Sequence, residues 1–284
     1  MAITASMVKE LREKTGVGMM DCKKALQESD GDMEKAVEWL RKKGLSKAAK
    51  RADRATSNGV IGVHVTDDGK KIALFELNCE TDFVAKNEDF GKLADQLAQH
   101  VAGTGTTDEE AIKQEAFALE TSKTINDLLG EQIAKIGESL NFGKILLWDL
   151  AADDNRFGFY VHTGASAVGL VEMSGGAEAD LEELGRNIGM QIVAGRPQYL
   201  TPDDVPQDVI DKEMEIYKEE ARTSGKPENI LDKIATGKLN KFYTEVCLTK
   251  QAYVKDPQGK TSVEQLLKQH GVGLTRFTRT AVGG

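Results

Sequence analysis

The stretch NCETDFVAKNEDF (Asn78–Phe90) decides the fold, because the hydrophobic period changes within it. Upstream, Val63 and Val65 alternate with polar residues, Asp68-Gly69 reads as a hairpin turn, and Ile72, Leu74 and Phe75 follow on the return. Downstream, Phe90, Leu93, Ala94, Leu97, Ala98 and Val101 recur at helical spacing, ending at Gly103. The chain therefore passes from a β-hairpin into a helix. Asn87 is a good helix start, which sets Thr81–Lys86 apart as a turn of its own. A single helix through Phe83 and Phe90 is the alternative. It would turn both rings to one apolar face and leave Asp82 as a first-turn acid favoured by the helix dipole. Phe83 is thus either core or displayed.

Working outward, the same pattern recurs about 92 residues later. Phe157, Phe159 and Val161 alternate, Thr163-Gly164 marks a turn, and Val168, Leu170 and Met173 follow. Leu181, Leu184, Ile188, Ile192 and Val193 then mark a helix that ends IVAGRP, where the first ended HVAGTG. Two hairpin-plus-helix units imply an internal duplication. The stretch matching the Asp82-Phe83 turn is SGGAEAD (Ser174–Asp180), with glycines and no aromatic, so the architecture does not require a Phe there. An acid beside an aromatic is what an interface anchor looks like.

Residues 1–54 read as a small helical module with a linker. Met7, Val8 and Leu11 precede a stop at Thr15-Gly16. Asp21 and Asp32 are candidate N-caps, Met33, Ala36, Val37 and Leu40 form a stripe, and Gly44 is a candidate stop. Residues 55–145 and 146–284 form the two halves of the core. Within the second half, residues 206–245 are densely charged, with Val209, Ile210, Met214 and Tyr217 on one helix and Ile230, Ile234, Leu239 and Phe242 on another. Gly225-Lys226-Pro227 between them predicts a protruding antiparallel helical hairpin. A strand at Tyr253-Val254, a helix capped by Thr261 and Glu264, and a last strand over Leu274–Val282 complete an α+β reading.

The 284 residues carry a formal net charge of −9, unevenly spread. Residues 1–54 hold 13 Lys/Arg against 9 Asp/Glu, a balance of +4, and the rest holds 24 against 37, a balance of −13. That distribution is a poor fit to a general nucleic-acid binder, and the basic run Lys47–Arg54 reads as a solvated helix end or linker. No apolar run approaches the roughly 20 residues that span a bilayer, and no apolar leader opens the chain. Cys22, Cys79 and Cys247 are too few and too scattered for a disulfide framework, so a reducing, cytoplasmic location is expected. No metal-ligand spacing occurs. TSGKPEN (Thr223–Asn229) lacks the upstream glycine and the hydroxyl of a phosphate-binding loop, and the four histidines are scattered. Neither a catalytic group nor a cofactor site is expected.

Several stretches resemble the bacterial elongation factor Ts family: Met7–Glu13, TGVGMMDCKKAL (Thr15–Leu26), NCETDFVAK (Asn78–Lys86), AKIGE (Ala134–Glu138) and SGKPE (Ser224–Glu228). The resemblance covers nearly the whole chain. It implies a ubiquitin-associated-like three-helix module, a duplicated α+β core and the helical hairpin. It also implies a guanine-nucleotide exchange factor rather than an enzyme, acting on GDP-bound and nucleotide-free elongation factor Tu. In that family the Asp-Phe pair enters the partner near its Mg²⁺ and loosens GDP. Carried over, Asp82 and Phe83 are the wedge, and Thr81 and Val84 shape its turn. Ile136, Gly137 and His162 match further partner contacts, and Met19, Met20 and Lys23 are placed to touch the partner's nucleotide-binding domain. Some members self-associate through the hairpin, so a homodimer is a further expectation. Longer members carry a C-terminal helix after the last strand. This sequence stops at Arg279–Gly284, which bears on affinity rather than mechanism.

Overall fold

The structure is a computed structural model and describes residues 2–51, 54–176 and 178–283; for 45, 47–51 and 178–180 it describes the backbone alone. The expectation for Lys47–Arg54 therefore falls mostly outside the described side chains, as does part of the Ser174–Asp180 comparison. The chain is mixed α and β and divides into two compact units. One comprises the chain up to Asp149, with residues 164–166 and the end from Ala281; the other comprises the remainder.

The first unit begins with helices α1 (Ala5–Thr15), α2 (Met19–Glu28) and α3 (Met33–Arg51). Val8, Leu11, Cys22, Ala25, Leu26, Ala36 and Leu40 form their shared core. Gly16, at φ 68°, ends α1, and Asp32 caps α3 by accepting the Glu34 and Lys35 amides. Two expectations fail here. Helix α2 starts at Met19 behind Gly18, and Asp21 lies inside its first turn, where it pairs with Lys43. Gly44 does not stop α3, because tertiary packing overrides local preference. A Cβ on Gly44 would stand 2.3 Å from the Gly130 carbonyl oxygen, so the glycine is there to let two helices touch.

Strands β1 (Asn58–Val65) and β2 (Lys71–Cys79) form the expected hairpin around Asp68-Gly69. Then come α4 (Asp82–Ala85), α5 (Glu88–Thr104), α6 (Glu109–Gln114), α7 (Ile125–Ile136) and β3 (Asn141–Asp149). Strand β3 pairs antiparallel with β2, giving the order β1-β2-β3. Helix α5 buries Phe90, Leu93, Ala94, Leu97 and Val101 against Phe75 and Leu77, and runs one residue past Gly103 before Gly105 caps it. Gly62 meets this helix directly: a Cβ there would lie 2.1 Å from the Ala94 carbonyl carbon.

The second unit repeats the hairpin-then-helix order. Strands β4 (Arg156–Val161) and β5 (Ala167–Gly175) precede α8 (Glu178–Gly195). Helices α9 (Gln207–Thr223) and α10 (Leu231–Val246) follow, tied by ion pairs from Lys218 to Asp232 and from Lys238 to Glu220. After α11 (Val263–His270), β6 (Val272–Ala281) joins the edge of β5. Tyr253-Val254 is not a strand, since the Gln191 side chain takes the Val254 amide at 2.7 Å. The cap of α11 is the Ser262–Gln265 pair, one residue beyond the expected one. Glu264 is drawn instead to Lys250 and Lys268.

Two outcomes are expected. Gly62→Ala forces the α5 backbone away from the sheet, so its urea midpoint should fall by the equivalent of about 1–3 kcal/mol, the usual range for overpacking; an unchanged midpoint would contradict the close contact. All three cysteines are buried, and burial, aided by the Glu138 charge, pushes the Cys79 thiol up to about 11. Burial, aided by Asp204, does the same for Cys247, also to about 11. At pH 8 neither is appreciably thiolate, so a thiol reagent should label them only as fast as the protein unfolds. Immediate labelling of native protein would refute this.

Candidate functional site

Phe83 is 81% exposed, the largest such fraction among the large hydrophobic side chains described. The helix phase explains it. Helix α4 is a single turn, and Lys86 and Asn87 separate it from α5. The Asn87 side chain accepts the Asp89 amide and starts α5 afresh, so Phe83 does not share the face of Phe90. Of the two readings the sequence left open, the displayed ring is the one observed.

The turn is tightly held from below. Thr81 is the N-cap of α4, its hydroxyl oxygen accepting the Val84 amide at 3.4 Å. The same hydroxyl donates to Glu138 Oε1 at 2.6 Å, while the Glu80 and Thr81 amides both donate to Glu138 Oε2, at 3.1 and 3.0 Å. In return the Ser139 amide donates to Glu80 Oε1 at 2.8 Å. That bond, with the Arg54 guanidinium 3.1 Å away, holds the Glu80 carboxyl below its ordinary range. Asp82 is exposed and accepts a hydrogen bond from Lys86 at 2.6 Å, which lowers its pKa as well. The carboxylate is therefore ionised and presented beside the ring, and the lysine that holds it is itself exposed.

Beside the ring lies a cavity of about 310 Å³ lined by Phe83, Val84, Asn87, Asp89, Phe90, Gln132, Lys135 and Ile136. Ile136 is half-buried at the end of α7, and Gly137, at φ 85°, is its left-handed cap. Phe83 and Val84 thus meet Ile136, far off in sequence, at one recess, with Gly137 following Ile136 as the helix cap. The other expected residues are not part of this recess's lining. Met19, at 56% exposure, Met20, at 76%, and Lys23 stand on α2. His162 is exposed after β4 in the other unit, with the Tyr160 hydroxyl 3.4 Å from its Nδ1. Sequence reasoning missed Glu138, Gln132 and Lys135. Glu138 stood in view inside AKIGE, but nothing in the chain's periodicity links it to a threonine on another element.

The arrangement suits contact with another molecule: it offers an apolar ring, an acid, and a recess whose apolar part is Val84, Phe90 and Ile136 and whose polar part is Asn87, Asp89, Gln132 and Lys135. Among the described residues no group of three or more His, Cys, Asp or Glu is set to hold a metal ion. No described helix is long and apolar enough to cross a membrane.

Comparison with known proteins bears on the whole chain. A family profile described as "Elongation factor TS" matches residues 80–284, and one described as "Elongation factor Ts, mitochondrial, N-terminal" matches residues 1–48. Relatives named Elongation factor Ts align end to end. That of Nitratidesulfovibrio vulgaris strain DP4 is 47% identical, over 100% of this chain and 96% of its own. That of Hydrogenovibrio crunogenus is 45% identical over 100% and 92%, and that of Halothermothrix orenii 38% over 100% and 93%. With matches of this extent, the chain belongs to the elongation factor Ts family of translation elongation factors.

Proposed function

We propose that this protein is a guanine-nucleotide exchange factor that binds elongation factor Tu carrying GDP and promotes GDP release, so that GTP can bind during polypeptide elongation. The observation that carries this reading is the displayed Phe83, standing beside an ionised acid on a braced single turn. Ring and acid enter the partner near its Mg²⁺ and phosphates, with Thr81 and Val84 holding the turn. Mg²⁺ bridges phosphate and protein oxygens, so displacing it leaves concentrated negative charge unbalanced and weakens GDP. By linkage, the factor weakens nucleotide by the same free energy with which nucleotide weakens the factor. No bond is made or broken, no cofactor is needed, and the protein is not an enzyme in the usual sense.

The remaining surfaces divide the work. Residues 1–54 act as a ubiquitin-associated-like module whose exposed Met19, Met20 and Lys23 touch the partner's nucleotide-binding domain. Residues 55–145 carry the wedge with Ile136 and Gly137 behind it, and residues 146–284 add His162. The two halves of the core are a duplication, supported by their common hairpin-then-helix order. The protruding helical hairpin of residues 206–245 is a surface for a homodimer, supported by Ile216, 57% exposed on α9. Direct nucleic-acid or membrane contact forms no part of the proposal, and its setting is the cytoplasm.

The test is release of fluorescent GDP from elongation factor Tu under catalytic amounts of this protein. Phe83→Ala should lower the maximal release rate about 30-fold or more, a hot-spot effect of about 2 kcal/mol, with the melting temperature unchanged. A variant that melts several degrees lower, as loss of a core Phe requires, or that releases GDP at the wild-type rate, would end the wedge reading.

A further inference from the structure

We infer that Glu138 is the positioning residue of the displayed turn. Its carboxylate sets the direction of Phe83 and its spacing from Ile136 before any partner arrives. The inference rests on the wedge reading above and adds to it the element that makes the wedge preformed.

The argument begins with the size of α4. A helix of four residues cannot sustain itself, because nucleation is unfavourable and nothing is propagated. Its backbone must be held from outside. Glu138 supplies that hold with three hydrogen bonds, two from successive amides of the incoming chain and one from the capping hydroxyl. The third bond has a directional consequence. Because the Thr81 proton goes to Glu138, a lone pair of Thr81 Oγ1 remains free to accept the Val84 amide, which is the bond that starts the turn. The brace thus acts on the residue immediately after Phe83.

The second half of the argument is where Glu138 comes from. It follows Gly137, the cap of α7, and Ile136, which lines the recess beside the ring. The same few residues therefore form one wall of the recess and grip the turn that forms the other. The reciprocal bond from the Ser139 amide to Glu80 closes the clasp from the opposite direction. Two backbone segments exchange carboxylate for amide, which fixes their separation as well as their orientation. Charge-assisted bonds of this kind are about twice as strong as neutral ones. The carboxylate also lies close enough to Cys79, just before the turn, to help raise that thiol's pKa.

A positioning role has a kinetic signature different from that of the ring. If Glu138 only keeps the turn in its competent form, losing it lowers the competent fraction and raises the apparent dissociation constant by the inverse of that fraction. The rate at saturation is unaffected. Glu138→Ala should therefore raise the half-saturating concentration in the GDP-release assay about tenfold or more, with the maximal rate within about twofold of wild type. Phe83→Ala should lower the maximal rate instead. Glu138→Gln can still accept the two amides and donate to the Thr81 oxygen, so it should restore most of the loss. Amide hydrogen exchange on the free protein gives a readout independent of the partner: Glu80, Thr81 and Val84 should lose protection in Glu138→Ala and regain it in Glu138→Gln.

An unchanged half-saturating concentration in Glu138→Ala overturns the inference. So does a fall in maximal rate alone, which would make Glu138 a direct contact, or a Gln variant as impaired as the Ala. Should Glu138→Ala not fold, Thr81→Val removes both hydroxyl bonds, the one to Glu138 and the cap on Val84 that depends on it, at nearly constant volume. It should shift the half-saturating concentration in the same direction, and no shift overturns the inference. Wild-type release by Phe83→Ala would defeat the wedge reading. In that case retained protection of Glu80, Thr81 and Val84 in Glu138→Ala would separately defeat the clasp.

Discussion

Both hairpin-plus-helix layers of this structure depend on a helix lying against its sheet at backbone contact distance. In the first unit Gly62 admits α5 onto β1. In the second, a Cβ on Gly158 would fall 2.4 Å from the Gly185 Cα, and one on Gly169 would fall 2.1 Å from the Gly189 oxygen. Sheet and helix give up side chains at these points and gain close packing in return. The consequence for function is geometric. With β2 and α5 both fixed against each other, the connection from Glu80 to Lys86 cannot slacken into the core. Its inner residues Val84 and Ala85 rest on the core while Asp82 and Phe83 face outward, and a short helical turn is the way its amides are satisfied there.

Buried carboxylates pin the middle strands of both sheets. Glu76 sits at the irregularity between Phe75 and Leu77, accepting the Lys144 amide at 3.0 Å and the Gly283 amide at 3.1 Å. Glu172 is fully buried and accepts bonds from the Ala151 amide, Asn155 Nδ2 and Arg276 Nε. Burial alone would raise its pKa, but those donors outweigh burial and hold the group ionised. A buried ion pair is a poor source of net stability. Its effect is to penalise any other register of β6 against β5, since a shifted strand would leave the charge unpaired. Glu138 obeys the same logic at the surface, a carboxylate satisfied by amides that belong to a different segment.

The hairpins, the caps at Asp32 and Asn87, the charged pair of helices and the α+β class were all legible, because each is written in local periodicity or turn chemistry. What escaped was non-local. Gly44 looked like a stop, and only the approach of Gly130 shows that it is an inter-helix contact. Tyr253-Val254 had strand composition, but its pairing stops at a single bridge between Ala252 and Ser262, and the chain turns at Val254. Helix α7 and strand β3 went unread although their signals exist. Thr124 and Asp127 form a capping box, Gly137 is a left-handed stop, and β2 is apolar on both faces, as a central strand must be. For the site, Phe83, Val84 and Ile136, which line one recess, stood among the residues the resemblance offered. The residue that braces them did not, since hydrogen bonds between distant segments leave no periodic trace.

The exposed ring and its acid also make sense as a pair whose free state is easily undone. Leaving a Phe side chain in water forgoes roughly 1.5–3 kcal/mol relative to burying it, so the free protein holds back a driving force that a partner's apolar pocket can supply. Asp82 is engaged with Lys86, but both side chains are more than half exposed and lie one helical turn apart. Exposed pairs of this kind contribute little net stability. The acid is thus kept ionised and oriented at little cost to its release. The backbone beneath is held far more firmly, by charge-assisted bonds that no incoming partner needs to break. The two side chains are weakly held, and the turn that aims them is not. That separation lets a single turn of helix act as a stiff element.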